Sequence, residues 1–184
     1  MRWFNLLAPG MAVAACVAAL AQTSTYNLGR TPNEEEIRSA GILIDPAGKE
    51  LPPGSGTAQQ GAPIYAQKCA ACHGPNGEGG GPLGPRLVGG KGTFNTPLPV
   101  KTIGSYWPYA TTIWDYIRRA MPPKGEGTLN ADEVYALTAV LLYRNGIIKE
   151  DDVLDATSLP KVPMPNRNGF LPSRLEWKAP SGNP

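Results

Sequence analysis

The sequence predicts an all-α domain of three main helices, set between two long irregular extensions. Three observations lead there. Apolar residues recur at helical spacing in three separate stretches. Two of those stretches carry terminal signals for where a helix stops or starts. The 22 glycines and 20 prolines among 184 residues are too many for regular structure throughout.

In chain order, residues 1–21 read as an export signal: Arg2 supplies a positive start, Leu6 to Leu20 is mostly apolar, and Ala19-Leu20-Ala21 fits the small-x-small cleavage rule. That apolar run is short and soon followed by polar residues, so no membrane span is expected. Val13-Ala14-Ala15-Cys16 also fits a bacterial lipoprotein cleavage box, and a lipid anchor at Cys16 stays open. The apolar Val17 to Ala21 behind it favours ordinary cleavage.

An extension over 22–56 follows. Thr31-Pro32-x-Glu34 has the pattern of a cap, a proline at the first helical position and an acid in the first turn, which predicts a short helix over about 32–40. Beyond it come an Asp-Pro-Ala-Gly turn and a stiff Pro-Pro-Gly linker. The segment is too short for a core of its own and must lie on something else.

The helical domain is expected over 57–147. Its first helix, about 58–71, has Gly61, Ile64, Tyr65 and Lys68 at helical spacing and ends on Cys69. The second, about 111–120, puts Ile113, Trp114 and Ile117 on one face. The third opens on Asn130 with Glu133 three residues later, a capping box, and stops at Gly146. Its stripe of Val134, Leu137, Val140 and Leu141 reads as core. Residues 148–184 are too apolar for a disordered tail and too rich in proline for helices, so they read as a wrapping arm laid across a surface.

The chemistry sits in "AQKCAACHGPNGEGGGPLGP". Cys69, Cys72 and His73 form C-x-x-C-H around the chain's single histidine. A zinc site wants about four ligands, normally as two spaced pairs, and no second pair exists downstream. A thioredoxin-like thiol pair wants a strand and helix around it, which this density of Gly and Pro does not supply. The run is instead the attachment signature of haem c: two thiols form thioethers and the adjacent imidazole ligates iron. One such motif means one haem. Covalent haem attachment also agrees with export to the periplasm. The formal net charge is +2, and near +1 without Arg2, so no footprint for nucleic acid exists. Lys91, Lys101, Arg118, Arg119 and Lys124 cluster in the haem-domain stretch and form either a solvated face or a docking patch for an acidic partner.

Three helices with the haem motif after the first resemble the mono-haem class I cytochrome c domain. The resemblance extends to Gly84-Pro85-Arg86-Leu87, matching the family's Gly-Pro-x-Leu segment. It implies that the Pro85 carbonyl accepts a hydrogen bond from the proximal imidazole, and that Leu87 packs on the haem. The sixth iron ligand is expected to be Met121, which follows the second helix and precedes Pro122 as in that family; Met164, also before a proline, and an open position are the alternatives. His73 and Met121 together would close both axial sites and favour electron transfer over oxygen or peroxide chemistry. Tyr106, Trp107 and Arg86 are candidates to meet a haem propionate. Val140 departs from the family, which often has an aromatic there.

Outside the domain, "LGRTPNEEEI", "LPPGSGTA", "PVKTIGSYWPYATTIWDYIRRAMP", "ADEVYALTAVLLYRNGII" and "LPKVPMPNRNGF" resemble the cytochrome subunit of bacterial sulfite and sulfane-sulfur dehydrogenases. The resemblance implies a molybdopterin-containing catalytic partner that does the sulfur chemistry, and a downstream cytochrome c or oxidase that takes the electrons. The chain itself is then an electron-transfer subunit and not an enzyme. The rival readings are a freely diffusing carrier with several partners, and a haem enzyme in its own right. The second wants an open iron or a cysteine ligand, and Cys69 and Cys72 are both committed.

Overall fold

The computed structural model describes residues 29–39, 43–79 and 84–170, omitting the side chains of 38 and 39. The expected signal over 1–21, with Cys16, and the arm residues Leu171, Leu175 and Trp177 lie outside the described residues. The chain divides into two units, 1–40 and 41–184.

In the first unit, helix α1 runs Glu34–Ser39. It starts later than the Thr31-Pro32 pattern predicts, because Asn33 is the better cap. The Glu36 amide donates to Asn33 Oδ1 at 2.8 Å, and the Asn33 amide donates to Glu36 Oε2 at 2.9 Å. That reciprocal pair satisfies two orphan donors at once, leaving Pro32 ahead of the helix.

The second unit holds four α-helices among its described residues: α2 (Ala58–Lys68), α3 (Ala70–His73), α4 (Ala110–Ala120) and α5 (Ala131–Arg144). The expected helix over 58–71 breaks at Cys69, whose ψ of −36° comes with a φ of −122°, outside the helical well. The haem motif therefore makes its own single turn. Thr57 and Gln60 form a capping box on α2, and Asn130 and Glu133 form the expected one on α5, each Asn130–Glu133 bond at 2.9 Å. Gly146, at φ 64°, ends α5 in the left-handed region that favours glycine.

Helices α2 and α5 cross where Gly61 meets Ala136: any Cβ on Gly61 would collide with the Ala136 carbonyl. Only hydrogen fits there. Between and beside the helices lies the core of Tyr65, Ile113, Trp114, Val134, Tyr135, Leu137 and Leu142. Two short strands, β1 (Ser55–Gly56) and β2 (Leu154–Asp155), pair antiparallel with Gly56 opposite Leu154. They tie the segment before α2 to the segment after α5.

Both flanking segments bury apolar side chains in this same core. Ile44 and Leu51 enter from the amino-terminal side, and Leu154, Leu159, Val162 and Met164 from the carboxyl-terminal side. Polar ties fix them. The Ile44 amide donates to Asp115 Oδ1 at 3.2 Å, Tyr135 Oη donates to the Pro52 carbonyl at 3.0 Å, and Asn166 Nδ2 donates to the Tyr106 carbonyl at 2.7 Å. No helix among the described residues is long and apolar enough to cross a membrane.

Candidate functional site

A cavity of about 440 Å³ opens between the α2–α3 junction, α4 and α5. Cys69, Cys72, His73, Pro85, Leu87 and Met121 all line it. Met164 does not: it is buried in the core on the carboxyl-terminal segment, as an apolar anchor.

One wall is built from consecutive backbone. The Cys69 amide closes on the Tyr65 carbonyl at 2.9 Å and the His73 amide on the Cys69 carbonyl at 3.0 Å, winding the motif into a turn with His73 at its end. The chain then doubles back. The Gly79 amide donates to the His73 carbonyl at 2.8 Å, and the Leu87 and Val88 amides share the Gly77 carbonyl at 2.8 and 2.9 Å. Gly84 lies so close to Cys72 that a Cβ would overlap the Cys72 carbonyl. This brings the Pro85 carbonyl to 2.8 Å from His73 Nδ1. A carbonyl only accepts, so Nδ1 carries a proton, and in the neutral ring Nε2 is the nitrogen that keeps a lone pair. Asn145, at the end of α5, clamps the same loop: its Nδ2 donates to the Leu87 carbonyl at 3.2 Å, and its Oδ1 accepts the Gly89 amide at 3.0 Å.

The facing wall is made of side chains. Ile113 and Ile117 come from α4, Leu137 and Leu141 from α5, and Ile103, Trp107 and Leu129 from the connecting loops. Met121 caps α4, its amide donating to the Ile117 carbonyl at 3.1 Å. Helix α4 is held by Asp115, which receives Arg119 Nε at 3.0 Å and Arg119 Nη2 at 2.6 Å as well as the Ile44 amide. That pairing raises the Arg119 pKa, the hydrogen bond to Asp115 being the main cause.

Burial pushes the Cys69 thiol up to about 11, against smaller pulls from the Arg144 and Lys68 charges. A redox-active C-x-x-C needs a lowered thiol pKa, so this environment argues against thioredoxin-like use. Neither cysteine is in a disulfide. Among the described residues, no three His, Cys, Asp or Glu side chains gather as a metal cage.

The residues fit a haem. The cavity lies within the roughly 300–1,000 Å³ that encloses cofactor-sized ligands. Its lining offers two thiols, one imidazole with its outer nitrogen free, one thioether and otherwise mainly hydrocarbon. Arg86 and Trp107 line it as well, but Tyr106 does not; its ring packs between Phe94 and Phe170, with centroids at 6.2 and 5.2 Å. Leu137 and Leu141 serve both the core and the cavity, a double use that the helical stripe alone does not announce. Ile103 and Leu129 sit in loops without periodicity, and no sequence signal marks them.

Residues 56–139 match the family "Cytochrome C oxidase, cbb3-type, subunit III". The chain is also similar to a chain in the crystal structure of the sulfane dehydrogenase SoxCD from Paracoccus pantotrophus. Identity is 42%, the TM-score is 0.74, and the likeness covers 87% of this chain and 80% of that one. Among curated proteins none matches at a significant level. With two thiols, an imidazole and an apolar hollow as its site, the chain belongs to the cytochrome c family, as an electron-transfer domain made to carry covalently bound haem c.

Proposed function

We propose that this chain is the periplasmic mono-haem electron-transfer subunit of a molybdopterin sulfite or sulfane dehydrogenase. It takes electrons singly from the catalytic subunit and passes them to a downstream cytochrome or oxidase. The observation that carries this reading is the extent of the likeness to the SoxCD chain: 87% of this chain is more than the stretch 56–139 can supply. The similarity therefore takes in flanking segments, which a shared haem domain alone does not require.

In this reading Cys69 and Cys72 hold the haem through thioether bonds. His73 and Met121 would be the side chains that hold its iron. When bound, the haem would supply a one-electron valence change. The chain's own residues do the rest. The Pro85 carbonyl orients the imidazole and raises its basicity as a ligand. Leu87, Ile113, Ile117, Leu137 and Leu141 exclude water, which keeps reorganisation on electron transfer small.

The test is co-purification from native cells with iron and molybdenum measured in the same fraction. A stable complex containing both is expected. A haem protein eluting alone, without molybdenum, would leave the freely diffusing carrier as the better description. Permanent partnership also predicts a buried interface above the roughly 1,200 Å² of transient redox encounters.

A further inference from the structure

Arg144, in the last turn of α5, is a cation without a carboxylate. Its Cζ lies 4.2 Å from the centroid of Tyr65, a ring that lines the cavity and has 0% of its surface exposed. Its Nη1 is buried and has no hydrogen-bond partner. Of the cations that line the cavity, Lys68 stands 4.0 Å from Glu133, so part of its charge is compensated, and Arg86 and Lys101 are exposed, where solvent screens them. Glu78, the acid that also acts on Tyr65, is exposed and accepts the Asn76 amide at 2.7 Å. Arg144 forms no ion pair among the described residues, and its charge is nonetheless felt at Cys69.

A half-buried guanidinium with no carboxylate beside it is costly to keep, and packing alone does not require the charge. Its position behind a cavity-lining ring gives it a use. We propose that Arg144 is a fixed cation that sets the reduction potential of the haem, holding it higher than the same pocket would without that charge. One electron enters on reduction and no proton need follow, so the net charge of the buried region falls by one. A nearby cation favours that state, and the low local dielectric lengthens its reach. Stacking on Tyr65 keeps the guanidinium where it is. Arg144 is not itself a lining residue and reaches the cavity only through Tyr65, so it is a positioning charge.

This inference rests on Cys69 and Cys72 carrying the haem, and the two can fail separately. A colourless mature protein ends the haem reading; a red protein whose potential ignores Arg144 ends only this one. The experiment is an equilibrium redox titration of the intact protein carrying Arg144→Gln, Arg144→Met or Arg144→Lys. Haem absorbance supplies the readout, and the near-infrared band of ferric methionine ligation is the control. At the poise that half-reduces the parent, the Gln and Met variants are expected to shift the ferrous-to-ferric ratio about threefold to tenfold toward ferric. The Lys variant should stay within about twofold, as the charge is kept. Neutral variants that titrate with the parent, ligation band intact, overturn the proposal. So does a Lys variant that shifts as far as Met, since that would implicate the planar packing instead.

If the neutral variants do not mature, Arg144→His decides. Its potential should fall as the imidazole loses its proton around pH 6–7. A profile over that range that parallels the parent's overturns the proposal.

Discussion

The two walls of the haem cavity are made in opposite ways. The histidine wall is backbone: His73, Gly77, Pro85 and Leu87 lie within fifteen positions of one another and are joined by hydrogen bonds of 2.8–2.9 Å. The methionine wall is assembled from distant parts of the chain. Ile44 reaches 71 residues to Asp115, and Asp115 with Arg119 steadies the helix that ends at Met121. A wall of local hydrogen bonds tolerates little change of shape and has one geometry. A wall of side chains can exchange one apolar group for another of like volume and still stand.

The strongest way to break the contrast is Gly84→Ala. Its methyl would run into the Cys72 carbonyl, a backbone atom with nowhere to move. Overpacking costs about 1–3 kcal/mol and more where backbone is struck. We expect a loss of about 3 kcal/mol or more and little mature haem protein, measured by denaturant unfolding and haem content. Wild-type stability would show the histidine wall to be pliable.

Next is Asp115→Asn on the methionine side. It weakens the hold on the Ile44 amide and leaves Arg119 without its carboxylate. A loss of about 1.5–3 kcal/mol is expected, the range for hydrogen bonds to charged groups. Met121 should stay in place, seen as retention of the near-infrared ligation band.

Met121→Leu sharpens the comparison from within the cavity. The volume is kept, so stability should change by less than about 1.5 kcal/mol. The ligation band should vanish and the reduction potential fall, because no thioether remains to favour ferrous iron. A surviving band would remove Met121 from the iron.

The smallest effect at neutral pH belongs to a position outside both walls. Burial, aided by the Asp155 charge, pushes the Tyr135 phenol up to about 12. Its folded pKa is above the ordinary value of about 10, so its contribution to stability is complete below about pH 10 and lost as pH rises toward 12. Tyr135→Phe gives up the hydrogen bond to Pro52, about 1 kcal/mol near neutrality. Between pH 10 and 12 its stability should fall less steeply than that of the parent in alkaline unfolding curves.

What the sequence discloses follows the same division. Cys69, Cys72 and His73 are readable because their chemistry needs them at adjacent positions. The capping box at Asn130 and Glu133 is readable because a cap is a local event. The burial of Val162 and Met164 in the haem domain's core is not readable, since nothing in a proline-broken segment names its surface. Tyr106 shows the limit from another side. Its residue type suits a propionate partner, yet its ring meets Phe94 and Phe170 instead, and only folding decides between such neighbours. The helix cap at Asn33 was hidden by a competing pattern two residues earlier.

Leu137 and Leu141 face the cavity and the centre of the protein at once. Before its cofactor arrives, the polypeptide consequently has a hollow where its middle should be. Loading is then the final act of consolidation, and a chain that misses it presents greasy, loosely knit helices to the proteases around it. Cells growing short of haem should accumulate fragments of this protein in place of an intact, empty form.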